Sequence, residues 1–209
     1  METNSNDVLI VIDVQNDFCP GGALAVADGA AIIPLINRLA EGFATVVITQ
    51  DWHPADHISF AANHPGTQPF QSIELPYGTQ TLWPVHCVRS TAGAALHGSL
   101  AIPNASLIIR KGMQRDVDSY SAFLEADRTT RTGLDGYLAA RGIAEVFLCG
   151  LATDFCVAWS AEDARNFGLQ TTVIEDACRA IDVDGSLKLA WQRLAAAGVQ
   201  RRQAGTLIA

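Results

Sequence analysis

Apolar residues in this chain fall into short runs separated by turn-rich polar stretches, and the runs are of two kinds. Val8-Leu9-Ile10-Val11-Ile12 is continuous and rich in β-branched residues, as expected of a parallel strand buried on both faces. Residues 45–49, 107–109, 146–148 and 171–174 repeat that signature, and 206–208 predict a short last strand. Between these runs, apolar positions at helical spacing predict helices over 30–39, 134–141, 157–167 and 187–197. Gly42, Gly142 and Gly198 stand where the first, second and last of them should stop. Strands alternating with helices predict an α/β fold: a three-layer α/β/α sandwich on a central, mainly parallel six-stranded sheet. Residues 54–97 break the pattern, with prolines at 54, 65, 69, 76 and 84. Irregular segments that long are uncommon and are usually functional. No linker, repeat or low-complexity tract divides the chain, so residues 1–209 are expected to form one domain, with the long loop region at about 51–100.

Composition narrows the possible partners. Hydrophobic residues make up 49% of the chain and charged residues 17%, which suits a packed globule. A formal net charge of −8 disfavours nonspecific binding to nucleic acid or to an anionic membrane. No apolar run approaches the roughly 20 residues of a membrane span. Residues 1–7 are polar and lack a basic start, so no secretory signal is expected. The cysteines are Cys19, Cys87, Cys149, Cys156 and Cys178: an odd number, with no C-x-x-C pair. Neither a disulfide framework nor a zinc knuckle follows, and a reducing cytoplasm is the expected setting.

Four residues with chemistry to offer follow four different strand runs: Asp13, Asp51, Lys111 and Cys156. Ligands of such sheets sit beyond the carboxyl ends of the strands, so one crevice can gather all four. Cys156 stands in a strand-to-helix turn, where backbone N–H groups and the helix dipole favour thiolate. The same N–H groups can hold an oxyanion. Taken alone, Cys156 also reads as a small buried hydrophobe, Asp13 as a loop cap and Lys111 as a solvated strand end. Taken together, they suit acyl transfer: a sulfur nucleophile, a carboxylate to take its proton and an ammonium to steady both anions. A second cluster is Asp51-Trp52-His53 with His57 and, further on, His86. Residues i and i+2 of an extended segment project to one side, so Asp51 and His53 can share a cation with a third imidazole from the loop. Two histidines and a carboxylate fit zinc, iron or manganese and leave open positions. Ordinary polar loop residues are the plainer reading of D-x-H. Phe18 and Trp83 are either core packing or flat walls for a planar ring.

Together these stretches resemble one family. They are D-V-Q-N-D-F-C-P-G-G at 13–22, D-W-H-P-A-D-H-I-S-F at 51–60 and W-P-V-H-C-V at 83–88, followed by K-G at 111–112, D-S-Y-S-A-F at 118–123 and G-L-A-T-D-F-C-V at 150–157. In that order, the chain resembles the nicotinamidases (pyrazinamidases) of the isochorismatase-like cysteine hydrolases over essentially its whole length. The resemblance implies a catalytic triad of Asp13, Lys111 and Cys156. It implies one divalent transition metal, zinc before iron or manganese, on Asp51, His53 and His86. His57 is a further ligand in some members, and Ser59 is placed beside a metal-bound water. The amides of Ala152 and Cys156 match the oxyanion hole, after a cis Leu151–Ala152 bond. Phe18, Trp83, Tyr120 and Leu151 match the substrate pocket. The implied reaction converts nicotinamide, and pyrazinamide, to the acid and ammonia through a Cys156 thioester, in NAD salvage. Homo-oligomers are compatible with this fold. Sibling hydrolases such as isochorismatases and N-carbamoylsarcosine amidases generally lack the D-x-H…H set, which disfavours them here.

Overall fold

The computed structural model describes residues 6–207. Its core is a six-stranded sheet in which every pairing is parallel, flanked by helices. The strands are β1 (Asp7–Ile12), β2 (Thr45–Asp51), β5 (Ala105–Lys111), β6 (Glu145–Leu151), β7 (Gln170–Arg179) and β8 (Gln200–Arg202). They lie in the order β5-β2-β1-β6-β7-β8. All six residues of β1 are buried, as its unbroken apolar run requires of a strand with neighbours on both sides and layers on both faces. From β1 the chain first builds outward through β2 and β5, then returns to β1's other flank and builds β6, β7 and β8. The direction of winding therefore reverses between β1 and β6, and ligand crevices open at such a switch point.

Helix α1 (Ile33–Glu41) buries Ile33, Ile36, Leu39 and Ala40 along one stripe. The expected start at residue 30 is a tighter turn over Gly29–Ile32, and the α-helix proper begins beside Pro34, whose ring favours a first-turn position. Helix α2 is Leu134–Ala140 and helix α4 is Ser186–Ala196, each within a residue of expectation. Helix α3 is Ala158–Asn166, preceded by a wide turn over Thr153–Val157. Its buried positions include Ala158, Ala161 and Ala164, whose small side chains let it sit close to β7 and α4. No helix among the described residues is long and apolar enough to cross a membrane.

Two expectations fail. The last strand does not fall at 206–208. Ala204–Thr206 form a tight turn, residues 208–209 lie outside the described part, and β8 comes earlier, at Gln200–Arg202. An edge strand needs a neighbour on one side only, so polar residues form it: Arg201 packs its guanidinium over Trp191 and pairs with Glu175. The loop region also contains a hairpin, β3 (Ser72–Leu75) and β4 (Gly78–Thr81), turned at Pro76-Tyr77.

Candidate active site

Four adjacent strands, β5, β2, β1 and β6, carry Lys111, Asp51, Asp13 and the Cys156 turn at their carboxyl ends, in that spatial order. Lys111 ties them together. Its side chain is fully buried, with Nζ 2.9 Å from Asp13 Oδ2, 2.5 Å from Asp51 Oδ1 and 3.5 Å from Cys156 Sγ. The Ser119 carbonyl accepts a further bond from it at 3.2 Å. Burial alone would drive Lys111 toward neutrality, but Asp13, Asp51 and Cys156 outweigh it and hold its pKa well above the ordinary lysine value. It is an ammonium at any working pH.

Asp13 follows β1 in a left-handed conformation, φ 47°. The Thr49 hydroxyl fixes it twice: it accepts from the Asp13 N–H at 3.1 Å and donates to Oδ1 at 2.5 Å. Oδ2 faces the ammonium out of line for a hydrogen bond, which leaves it open to a proton from elsewhere. Cys156 Sγ lies within 4.8 Å of an Asp13 oxygen. Burial, helped by Asp51, raises the Asp13 pKa against the pull of Lys111. Burial also pushes the Cys156 thiol well up, again against Lys111, which reverses the lowering expected from its place at a helix start. In a pocket this dry, a second anion beside Asp51 costs more than the turn's N–H groups return. The pair Asp13–Cys156 therefore keeps a proton between them.

The turn that delivers Cys156 depends on Gly150. There β6 runs so close to β1 that any Cβ would overlap the Ile12 main chain, and φ is +119°. The Leu151–Ala152 peptide is cis. The Ala152 carbonyl then accepts from both Phe155 and Val157 N–H, at 3.2 and 3.1 Å, which widens the turn before α3.

Beside Asp13, Lys111 and Cys156, one ligand atom each from Asp51, His53 and His86 lies within 4.8 Å of the others, all three residues being buried. The donor set fits a divalent transition ion. His53 Nδ1 bonds the Gly112 carbonyl at 2.9 Å and His86 Nδ1 bonds the Pro84 carbonyl at 2.8 Å. Because a carbonyl only accepts, both Nδ1 atoms carry the hydrogen, and the Nε2 atoms, that of His53 lying 3.6 Å from Asp51 Oδ2, are the ones left to meet a cation. Burial and then His53 lower His86 to about 4, so it stays neutral. Burial would also lower His53, but Asp51 more than reverses that. Burial would raise Asp51, but Lys111 and His53 hold it far below the usual carboxylate range. That fixed negative charge is what a cation would meet.

His57 is differently engaged. Its Nε2 faces the Val117 carbonyl at 3.2 Å and its Nδ1 accepts from the Ser59 hydroxyl at 2.7 Å, so both ring nitrogens are used. Its ring lies 4.2 Å from that of His53, at 32°. Here His57 and Ser59 brace His53. Asp118 also comes within 4.8 Å of His53 and His57, but its oxygens accept from the Ser119 N–H and the Gln80 amide. Gly112 supports the same imidazole from behind: a Cβ there would come within 2.3 Å of the His53 ring, and φ is +63°. Gly112→Ala is accordingly expected to cost about 1 kcal/mol or more in stability and to weaken metal binding roughly 10–100-fold. Metal titration followed by calorimetry checks this, and unchanged affinity would show that His53 is not held this way.

The pocket in front of the sulfur is narrow and lined by Phe18, Trp83, Tyr120, Phe155, Ala152 and Cys156, with Asp51, His53 and His86 on one side. Trp83 and Phe155 meet edge to face at 4.8 Å, and Trp83 Nε1 donates to the Tyr120 hydroxyl at 3.0 Å. Leu151 is a correction. It is buried in the core and does not line the pocket, because alternation along β6 turns it away. Sequence reasoning also missed Phe155 and Ile181, which do line it, and Thr49, which orients Asp13. Phe155 had a signal in its place beside Cys156; Ile181, after β7, had none.

With this geometry in view, comparisons with known proteins are direct. The isochorismatase domain model matches residues 7–204. The nicotinamidase of Acinetobacter baylyi is 62% identical over 201 residues, covering 96% of this chain and 94% of that protein. A solved Acinetobacter baumanii nicotinamidase/pyrazinamidase superposes with a TM-score of 0.98 at 60% identity, covering 99% of this chain and 100% of that one. The pyrazinamidase of Pyrococcus horikoshii, solved in complex with zinc, gives 0.76 at 32% identity over 95% of this chain and 99% of its own. The chain belongs to the isochorismatase family and is, within it, an enzyme of the nicotinamidase group.

Proposed function

We propose that the chain hydrolyses nicotinamide to nicotinic acid and ammonia through a thioester on Cys156, with a divalent metal, zinc first, orienting the ring. The observation that carries this reading is the Lys111 ammonium, which touches Asp13, Asp51 and Cys156 at once. It joins the bond-breaking pair to the metal-ligand set in a single pocket.

Asp51, His53 and His86 would hold the cation, which when bound supplies a Lewis acid for the ring nitrogen and so fixes the ring. Phe18, Trp83, Tyr120 and Phe155 clamp the ring's faces and edges. The carboxamide carbon then lies against Sγ. Asp13 accepts the thiol proton as sulfur attacks, and the N–H groups of Ala152 and Cys156 hold the oxyanion. As the C–N bond breaks, Asp13 returns that proton to the departing amine, giving ammonia and the acyl thioester. Water enters, Asp13 accepts its proton, hydroxide adds to the acyl carbon, and the thiol leaves with the proton restored. Lys111 stays charged throughout and offsets the anion, whichever partner carries it. Pyrazinamide presents a ring nitrogen and a carboxamide in the same relation and is a second substrate on this reading. A cytoplasmic place in NAD salvage, one domain bearing the whole site, and possible homo-oligomerisation complete it.

Ammonia release from nicotinamide, measured alongside the metal content of the purified protein, is the direct test. Stripping the metal with a chelator is expected to raise KM roughly tenfold or more, with recovery on adding zinc. Full kcat/KM in metal-free protein would remove the orienting role. Benzamide, which lacks the ring nitrogen, is expected to be a poor substrate of the loaded enzyme and to lose little on stripping.

A further inference from the structure

We propose that Gln80 is a positioning residue of the substrate pocket, placed by the β3–β4 hairpin to hold the Tyr120 and Trp83 walls and Asp118 in one arrangement. The proposal rests on the reading that those walls bind the ring. The hairpin is largely exposed, yet Gln80 on β4 is buried at 1%. Its amide nitrogen lies 2.6 Å from Thr81 O, 2.6 Å from Asp118 Oδ2 and 3.0 Å from Tyr120 Oη. Its amide oxygen accepts from the Tyr77 hydroxyl at 3.1 Å. The same Tyr77 oxygen stands 3.4 Å from the Asp118 N–H, so hairpin and segment 118–120 are joined twice.

An amide carries two hydrogens for these three acceptors, so one hydrogen is shared, and the Tyr120 hydroxyl oxygen lies within that reach at 3.0 Å. The Tyr120 hydroxyl also accepts from Trp83 Nε1 at 3.0 Å, so Gln80 and Trp83 fix it together. Burial and the neighbouring carboxylate keep Tyr120 protonated, its pKa well above the ordinary phenol value. Trp83 and Tyr120 therefore have their polar ends fixed through Asp118 and Gln80 while both rings line the pocket. A flat ring is bound well only between walls whose angle is set in advance. The partners of Gln80 are walls and their supports, whereas the bond-breaking groups hang on Lys111. The effect of Gln80 therefore belongs to ring binding and not to bond breaking.

The test uses the metal-loaded enzyme and the variants Gln80→Leu, Gln80→Asn, Tyr120→Phe, Tyr120→Ala and Gln80→Leu/Tyr120→Phe. Gln80→Leu keeps the volume and loses every hydrogen bond. It is expected to raise KM for nicotinamide roughly tenfold, with kcat within about twofold and metal content unchanged. Gln80→Asn, a methylene too short, moves KM the same way and serves if the leucine variant does not fold. The double variant is expected to add less than the sum of its singles, since both act on one hydroxyl. Wild-type KM in both Gln80 variants overturns the proposal. So does a fall in kcat and melting temperature with KM unmoved, which is what a merely structural residue would give. Tyr120→Ala tests the underlying reading separately: wild-type KM in that variant means the wall does not bind the ring, whatever Gln80 does.

Discussion

Cys156→Ala stops ammonia release from nicotinamide, with kcat falling roughly a hundred-thousand-fold or more. Among the described side chains that meet the Lys111 ammonium, sulfur is the one nucleophile besides two carboxylates, and both of those are already committed. Asp13 holds the Thr49 hydroxyl and faces the ammonium; Asp51 is paired to the ammonium and turned toward His53. With alanine at 156, a base remains but nothing for it to activate except water, whose attack on an unactivated amide is slow. The substitution removes a small, buried, neutral side chain, so the fold and the metal ligands should survive it. The variant should therefore still bind nicotinate and carry its metal. Rapid acid quench of the wild-type enzyme should trap a nicotinoyl adduct on the peptide carrying residue 156. Appreciable turnover by the variant would end the covalent mechanism and leave direct hydrolysis in its place.

Lys111→Met is expected to damage both stability and activity. The substitution keeps the chain's length and apolar stem but removes the charge that lies 2.9 Å from Asp13 and 2.5 Å from Asp51. Those carboxylates then face each other in a dry pocket without a cation between them. Breaking a buried ion pair from one side costs about 3–5 kcal/mol, and here one side serves two partners. For a chain of this size that corresponds to a drop in melting temperature of roughly 10 °C. Differential scanning calorimetry reads the first effect. For the second, kcat should fall at least about a hundredfold, because an uncompensated Asp13 takes up a proton and no longer serves as a base. Added metal recovers part of the stability by neutralising Asp51, but not the rate. A variant that melts with the wild type and keeps its kcat would show that the ammonium is not the centre of the site.

Much of this was legible because the chemistry sits directly after the apolar runs. A strand buried on both faces leaves an unbroken hydrophobic signature, so its end can be placed within a residue or two, and Asp13 and Asp51 mark two such ends; Lys111 closes the shorter apolar run of β5, a half-exposed edge strand. The D-x-H spacing similarly put Asp51 and His53 on one side before any coordinates. What escaped has a common cause: none of it leaves an apolar period. The hairpin is short and mostly solvated, β8 is polar because it is an edge, and Gln80 is one buried residue in an exposed element. Asp118 lies in the 118–123 stretch, but only the fold shows that its oxygens take the Gln80 amide and the Ser119 N–H beside the pocket. The acidity of Cys156 was misjudged for another reason. Local position in a helix turn is visible in sequence; the depth to which the turn is buried is not.

The site has two suppliers. The bond-breaking groups stand on the tips of neighbouring strands, where any shift would disturb the sheet itself. Trp83, His86 and, on this reading, Gln80 arrive on the excursion between β2 and β5, which the sheet hardly constrains. Grafts and length changes in that excursion can therefore reshape the Trp83 side of the pocket while the groups on the strand tips beneath, with Phe18 and Phe155, keep their places.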